Sequence, residues 1–294
     1  MKFLANKVKG RSLWAEATRR ILDDNVAVLG LFVIIVYCVV AILVWQGFLV
    51  ADWKESIGEA HKDPTFEGGW KYWLGLDLFG HSIIEKAIAG TKTAMYVGLG
   101  SSAISVVIGV IVGAIAGYFG GWIDDVITWF YTVLSNIPDI FLLVAIAFAL
   151  GKGIDTVIVA MGVTSWVGMA RIVRAEFIKH KNRDYVSAAA ALGASHFRRI
   201  WIHILPNVLH LIIISFSLRF VTGIKSEVIL TYLGLGAETG TASWGIMIDD
   251  AKGELMQGQW GGITGATLGM FFIVLATSIF SDALRDAFDP KLRA

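Results

Sequence analysis

The chain has 294 residues, of which 56% are hydrophobic and 17% are charged. A soluble domain of this length carries more charge and shorter apolar runs, so the composition excludes an ordinary soluble fold and predicts several membrane spans. The formal net charge of +1 identifies no class of partner, and the single cysteine, Cys38, cannot form a disulfide within the chain.

The N-terminal part is expected to be a short polar segment followed by one membrane span. Residues 1–25 carry more basic than acidic residues, and residues 26–45 form an apolar run long enough to cross a bilayer. A secretory signal peptide is the alternative interpretation. The apolar run is too long for one and no small-residue cleavage site follows it, which favours a retained helix.

A polar loop is expected over residues 46–92 and a second span over residues 93–118. Within that span, small residues recur every four positions and form one stripe along the helix. Such a stripe permits close approach between helix backbones in lipid, and it predicts tight packing within the chain or against a partner. The stripe consists of Ser101, Ser105, Gly109, Gly113 and Gly117.

The third predicted span, residues 126–150, is interrupted by Asn136-Ile137-Pro138-Asp139. Proline kinks a membrane helix, and a carboxylate in lipid is costly, so Asp139 is expected to face protein or water. Together with Asn136 and Arg219, Asp139 is a candidate for lining a translocation path. An interfacial or hydrogen-bonded structural role is the alternative. A shorter fourth span is expected over residues 156–170.

The loop over residues 171–203 is rich in basic side chains, and the positive-inside rule therefore places it in the cytoplasm. Counting spans backwards puts the N-terminus on the same side, which its own basic residues also indicate. The same side chains could bind anionic lipid headgroups, so membrane lipid is an expected partner. The basic residues are Arg171, Arg174, Lys179, Lys181, Arg183, Arg198 and Arg199.

Residues 184–207 are expected to form two short helices with a break between them. Asp184 is a candidate N-cap for the first helix, and Gly193 suits the left-handed residue that ends it. Ser195 is expected to cap a second helix that Pro206 limits. Helical spacing predicts one smooth face made of small or apolar residues, namely Tyr185, Ala188, Ala189 and Leu192. From spacing alone, an ordinary interfacial loop is the alternative.

The fifth and sixth spans are predicted over residues 204–223 and 258–280. The sixth span carries a second small-residue stripe that includes Gly265 and Gly269, again typical of close helix packing. Six spans place both termini in the cytoplasm.

The run Ser187-Ala188-Ala189, with Gly193 four residues after Ala189 and Leu205-Pro206 beyond it, resembles the EAA loop of binding-protein-dependent ABC importer permeases. The spacing agrees with the family pattern, although Ser187 stands where the family usually has glutamate. The resemblance implies a coupling helix that inserts into a cleft on a separate ATPase subunit. The residues implied are Asp184, Tyr185, Ser187, Ala188, Ala189, Leu192, Gly193, Ala194, Leu205 and Pro206.

Four further blocks resemble the dipeptide and oligopeptide branch of the same family, in the family's order. Residues 74–82 resemble the signature before the second span, with His81-Ser82 replacing Arg-Asp. Residues 116–124 resemble the turn after that span. Residues 227–245 resemble a later block that usually contains prolines absent here. Residues 281–293 resemble the branch's C-terminal ending.

This resemblance implies an all-α polytopic membrane protein with six transmembrane helices, cytoplasmic termini and the ABC type I importer permease fold. The chain would divide into a cytoplasmic segment (1–25), a first helix (26–45), an outer loop (46–92), a permease core (93–281) and a cytoplasmic tail (282–294). The expected location is the cytoplasmic membrane of a bacterium or archaeon.

The implied activity is ATP-driven import of dipeptides, oligopeptides or similar small solutes. The implied partners are a second homologous permease, one or two ABC ATPase subunits and an extracytoplasmic solute-binding protein. ATP and magnesium would bind the ATPase subunits, and no cofactor is expected in this chain.

Other chemistry has little support in the sequence. No Gly-x-x-x-x-Gly-Lys-Ser/Thr pattern occurs, so the chain is not expected to hydrolyse ATP itself. His196, His203 and His210 recur every seven residues, about 10 Å apart on a helix and too far to share one metal ion. Nucleic-acid binding has no support. A self-sufficient secondary transporter or channel would show paired intramembrane ion ligands or inverted repeats, and neither is clear. A membrane-embedded enzyme would need convergent catalytic residues, and the sequence shows none.

Overall fold

The computed structural model describes residues 13–288 and is built almost entirely of helices. Within that range there is no strand, and one isolated bridge joins Leu76 and Ser82. The helices are α1 (Leu13–Asp23), α2 (Asn25–Trp45), α3 (Ile83–Phe119), α4 (Gly121–Ser135), α5 (Asp139–Leu150), α6 (Ile154–Thr164), α7 (Val167–Lys181), α8 (Asp184–Ala191), α9 (His196–Arg198), α10 (Leu205–Tyr232), α11 (Trp244–Met256) and α12 (Gly261–Phe288). The predicted all-α class is confirmed.

Five helical segments of the described chain are long and apolar enough to cross a membrane: Asn25–Trp45, Ile83–Phe119, Ile154–Lys181, His196–Tyr232 and Gly261–Phe288. The pair α4 and α5 makes a sixth if it counts as one span. This agrees with the six predicted helices. The side on which each terminus lies stays a prediction, and residues 1–12 and 289–294 fall outside the described range.

The third predicted span bends more sharply than a helix with a proline kink. Helices α4 and α5 meet at 89°, with a short break before Asp139. Pro138 has an extended backbone (φ −56°, ψ 129°) and directly precedes α5. A proline disfavours the helical conformation of the residue before it, so α4 must end ahead of Ile137. The prediction of one interrupted helix over residues 126–150 is corrected to two helices at nearly a right angle.

Helix α3 begins at Ile83 rather than at residue 93, which shortens the predicted loop 46–92. The hydroxyl of Ser82 caps its first turn by accepting from the N–H of Glu85 (3.3 Å). Glu85 pairs with Lys71 at 2.9 Å and Lys86 pairs with Asp77 at 3.0 Å. This tertiary pairing allows the charged residues to lie in a buried first turn.

The other spans also run past their predicted ends. Residues 154–181 form one long segment in which α6 and α7 follow each other closely, whereas the fourth span was expected over residues 156–170. Helix α10 extends to Tyr232 instead of residue 223, and α12 extends to Phe288 instead of residue 280. Part of the predicted tail 282–294 is therefore helix.

Helix α3 packs most closely against α7, through the glycines of its stripe. A β-carbon built on Gly113 would lie 2.5 Å from the carbonyl oxygen of Ala170, and one built on Gly117 would lie 2.5 Å from that of Arg174. Gly109 is equally close to the side chain of Met169. The two serines of the stripe lie elsewhere, lining the cavity described below. The glycines thus set the distance between these two helices.

Helix α11 fills the space between α3 and α12 with the fully buried ring of Trp244. This ring lies against Gly90 and Gly269, and its Nε1–H donates to the carbonyl of Ala87 at 2.8 Å. Gly265 faces the side chain of Ile83. The second small-residue stripe therefore accommodates the indole ring of α11 and the first residue of α3.

Candidate functional site

The segment from Asp184 to Asn207 forms a compact hairpin in which α8 ends at a left-handed glycine. Gly193 has φ +81°, as its position after the helix predicted. The N–H of Gly193 donates to Ala190 and that of Ala194 donates to Ala189, both at 3.0 Å. These two hydrogen bonds define a Schellman motif, in which residues after the helix satisfy its last carbonyl groups. The chain then reverses towards α9.

The predicted N-cap of α8 is wrong. Arg183 occupies the cap position in an extended conformation, without a side-chain hydrogen bond to the helix, and Asp184 is the first helical residue. A carboxylate in the first turn still interacts favourably with the positive end of the helix dipole. Ser195 does cap α9, because its hydroxyl accepts from the N–H of Arg198 at 3.3 Å.

Pro206 does not limit the second helix, which is a further correction. Residues Arg199–Ile204 form a π-helical segment that joins α9 to α10, with Pro206 in the first turn of α10. The N–H of Leu205 donates to the carbonyl of Ile200, five residues back. The side chain of Asn207 donates to the carbonyl of His203 at 2.7 Å. The wider π turn and this amide accommodate a residue that has no N–H to donate.

The predicted smooth face of α8 is split between the interior and the surface. Ala189 is only 8% exposed, whereas Tyr185 is 38% exposed and Leu192 is 88% exposed. Val186, which the sequence prediction missed, is buried beside Ala189 at the inward-facing i, i+3 positions. It packs in a core with Phe177, Ile200 and Ile204. Val186 is the only branched apolar residue in α8, and this was the available signal.

The remaining residues of the predicted coupling set lie mainly on the surface. The exposed ones are Asp184, Ser187, Ala188, Gly193 and Pro206, and the partly buried ones are Ala194 and Leu205. The most exposed large apolar side chains of this segment are Leu192 and Phe197, the latter 70% exposed, on either side of the glycine turn. We call Ala188, Leu192, Gly193 and Phe197 the coupling surface. Large apolar side chains exposed in a basic loop are typical of a protein interface.

Three helices hold this hairpin by hydrogen bonds. The hydroxyl of Tyr185 lies 2.9 Å from Nδ1 of His180 on α7 and accepts from Asn207 of α10 at 3.5 Å. Tyr118, at the end of α3, contacts Nδ1 of His196 at 2.9 Å. Burial raises the pKa of Tyr185 above its ordinary value, so its hydroxyl stays protonated at neutral pH. These hydrogen bonds therefore couple a displacement of α8 to α7 and α10.

A polar cavity of about 390 Å³ lies among helices α3 to α7 and α10. Two of the three residues predicted for a translocation path, Asp139 and Arg219, line it; Asn136 is exposed and is not part of its lining. Its polar lining also includes residues that the sequence did not single out for this role. These are Ser101, Ser102, Ser105, Ser135, Thr164, Ser165, Arg171 and Thr222.

Several polar groups in this cavity have no partner in the part of the chain that the structure describes. The guanidinium of Arg219 donates to the carbonyl of Ser165, yet its Nε has no hydrogen-bond partner among residues 13–288. The hydroxyls of Ser102 and Ser105, residues only 1% exposed, are likewise unpartnered within the described chain. Arg171 donates to the hydroxyl of Ser135 at 2.9 Å. Two polar residues next to each other in an apolar span, as in Ser101-Ser102 and Thr164-Ser165, were the sequence signal that could have indicated this cavity.

At the opposite end of α3, a charged cluster connects the loop between α2 and α3 to α3 and α11. Lys86 bridges Asp77 at 3.0 Å and Asp250 at 3.1 Å. Burial alone would raise the pKa of Asp77, but the charge of Lys86 and the N–H groups of His81 and Phe79 hold it below its ordinary value. Asp77 thus remains ionised and fixes this loop.

Hydrogen bonds to Glu227 hold the two ends of the block at residues 227–245 together. This carboxylate, 1% exposed, accepts from the hydroxyl of Ser243 at 2.7 Å and from that of Thr231 at 2.9 Å. The same Ser243 caps α11 by accepting from the N–H of Gly245. The side chain of Glu227 therefore holds the end of α10 to the start of α11, which is a structural role.

The sequence of this chain is similar to those of known proteins. Residues 109–294 match the family model described as binding-protein-dependent transport system inner membrane component. The chain is 34% identical, over 98% of its length, to the dipeptide transport system permease protein DppC of Bacillus subtilis, of which it covers 90%. It is 33% identical to the oligopeptide transport system permease protein OppC of the same organism, covering 97% of this chain and 92% of that protein. It is 34% identical to the glutathione transport system permease protein GsiD of Pectobacterium atrosepticum, covering 97% and 93% respectively.

Proposed function

The chain belongs to the family of inner membrane components of binding-protein-dependent transport systems, and we propose that its coupling surface docks onto a separate ATPase subunit to drive solute import. The predicted family and the multi-pass inner-membrane location are confirmed. The observation that carries the docking role is the exposure of Leu192 and Phe197 on a hairpin anchored to three membrane helices.

The three helices that hold the hairpin, α3, α7 and α10, also line the polar cavity. Along α7, Arg171 lies nine residues from His180, which is about 14 Å of helix. Along α10, Arg219 lies twelve residues from Asn207, which is about 18 Å. A rigid helix carries a shift at one end to the other, so ATPase closure that moves α8 would alter the cavity. This is a two-state helix packing biased by nucleotide bound to a partner.

We place the solute path at this cavity and expect the partners that the family resemblance implies. A second homologous permease would cover the exposed apolar side of α4 and α5, where Trp129, Phe141 and Phe148 are each more than 60% exposed. A solute-binding protein would deliver solute at the opposite end from the coupling surface. ATP and magnesium would bind the ATPase subunits. By the names of the relatives, peptides and glutathione are the candidate solutes.

A self-sufficient secondary transporter is not favoured, because the relatives are permease components of larger transport systems. Purification of the tagged chain from its native membrane in mild detergent distinguishes the two classes. A second six-span permease and one or two ATPase subunits with phosphate-binding loops should co-purify. A chain that purifies alone and carries solute down or up an ion gradient would contradict the proposal.

Replacing Asp139 with asparagine is expected to change the rate of solute uptake. Asp139 is the one acidic residue in the lining of the cavity, and an ionisable residue within a candidate membrane span is by default a candidate functional residue. Loss of a charge interaction of about 1 kcal/mol corresponds to a change of roughly fivefold. The measurement is initial uptake rate at equal amounts of membrane-inserted protein.

The matched control for this change is Asp125→Asn. Asp125 is an exposed acid on α4 and is not part of the cavity lining, so its uptake rate should stay close to that of the unmodified protein. An unchanged uptake rate in Asp139→Asn would contradict a role in the solute path and favour the structural role for Asp139.

A further inference from the structure

Three buried hydrogen-bond donors at the cavity have no partner in the described chain. Ser102 and Ser105 are buried with free hydroxyls, and Nε of Arg219 is buried without a partner in the described chain. An unsatisfied buried polar group is destabilising, so three of them around one space indicate a ligand that acts as their acceptor. The three groups come from two different helices, α3 and α10, that meet at this cavity.

The charges identify the chemistry of that acceptor. A guanidinium only donates hydrogen bonds, and its fork matches the two oxygens of a carboxylate. Arg171 adds a second positive charge to the lining. The carboxylate of Asp139 makes no hydrogen bond or direct ion pair with another described residue, and it acts on the Arg219 guanidinium only through space. An unpaired carboxylate beside two guanidiniums suits a ligand that carries both signs of charge.

We propose that the cavity is a transit site for zwitterionic solutes. The solute carboxylate binds Arg219 and the hydroxyls of Ser102 and Ser105, and the solute ammonium group lies towards Asp139. The volume of about 390 Å³ is within the range of small-molecule sites, roughly 300–1,000 Å³. This inference rests on the proposed function, because it places a solute on the import path, and it adds the charge pattern that the solute must have.

The test measures binding to the chain purified with the subunits that accompany it, in the absence of any solute-binding protein. The probes are dialanine, dialanine amide and N-acetyl-dialanine, followed by saturation-transfer NMR. Dialanine should bind, and the amide, which lacks the carboxylate, should bind at least about tenfold more weakly. The acetylated probe, which lacks the ammonium group, should also bind more weakly. Equal binding of dialanine and its amide, or no binding of dialanine, would overturn the proposal.

Variants assign the effect to the residues. In Arg219→Gln the preference for dialanine over its amide should disappear. Since Arg219 also donates to the carbonyl of Ser165, this change could disturb folding, and Ser102→Ala provides a second variant. It removes only a free hydroxyl, so the complex should assemble normally while dialanine binding weakens about fivefold, the size of one hydrogen bond. Unchanged binding in an assembled Ser102→Ala complex would remove that hydroxyl from the site.

Failure of this inference can be separated from failure of the proposed function. Gly193→Val should lose ATP-driven uptake yet bind dialanine normally, because Gly193 is on the coupling surface and outside the cavity lining. A complex that imports solute but shows no charge preference would contradict the transit site alone. A chain that binds dialanine but has no ATPase partner would contradict the proposed coupling alone.

Discussion

Replacing Gly193 with valine is expected to abolish ATP-driven solute uptake while leaving the chain in the membrane. Gly193 has φ +81°, and a β-branched residue there costs more than the roughly 1–2 kcal/mol of an ordinary residue in the left-handed region. No atom of the described chain lies within 4 Å of a β-carbon built at this position. The damage is therefore to the backbone turn, which loses the Schellman motif and moves Leu192. Uptake and membrane content are measured in the same cells.

Two controls separate this effect from general destabilisation. Gly193→Asn should keep much of the uptake, because asparagine tolerates the left-handed conformation better than other residues with a side chain. Gly258→Val introduces the same strain at φ +82°, also in open space, in the loop between α11 and α12. It should leave uptake largely intact. Normal uptake in Gly193→Val would refute the coupling role of the turn.

Replacing Gly113 with leucine is expected to prevent assembly of the complex. A β-carbon at Gly113 would already lie 2.5 Å from the carbonyl oxygen of Ala170 and 2.9 Å from Cβ of Val173. Backbone cannot move aside as a flexible side chain can, so α3 and α7 must separate. Overpacking of a tight core costs about 1–3 kcal/mol and sometimes more, and this site should lie at the upper end. The measurement is the yield of monodisperse complex in mild detergent.

The control for this substitution is Gly253→Leu. Gly253 lies within α11 with no described atom within 4 Å of its β-carbon position, so a leucine has room there. Its yield should match that of the unmodified complex, since removing a glycine from a helix is itself favourable by about 1 kcal/mol. An unchanged yield in Gly113→Leu would show that α3 and α7 do not pack as closely as described.

Hydrophobic patterning was sufficient to predict the spans but not where they end. A long apolar run is a local property, so the presence of each span follows from it directly. Glu85, Lys86 and Glu227 lie in helices beyond the predicted ends because distant residues pair with them. These charges interrupt the apolar pattern, so hydrophobicity alone ends each span before them. The break ahead of Asp139 was visible as a proline, but its angle depends on how α4 and α5 pack.

In the hairpin at residues 184–207, the local features were likewise predictable and the packing was not. Gly193 and Ser195 were assigned correctly because the turn and the cap are local and depend on residue type. Helical spacing groups residues on faces but cannot choose which face turns inward, and this is why Ala189 was placed with Leu192 instead of with Val186. The cavity was harder still, since its donors come from separate spans. Only Asp139 and Arg219 stood out as charges in apolar sequence.

Site-specific crosslinking tests most directly whether the coupling surface contacts an ATPase subunit. Leu192 is replaced by cysteine in a Cys38→Ser background and treated with a short thiol-to-amine crosslinker in native membranes. The control is Phe48→Cys, which is 78% exposed but follows α2 near the opposite end of α3. We expect a crosslinked product containing an ATPase subunit for Leu192→Cys and none for Phe48→Cys. No ATPase adduct at Leu192, or equal adducts at both positions, would contradict this expectation.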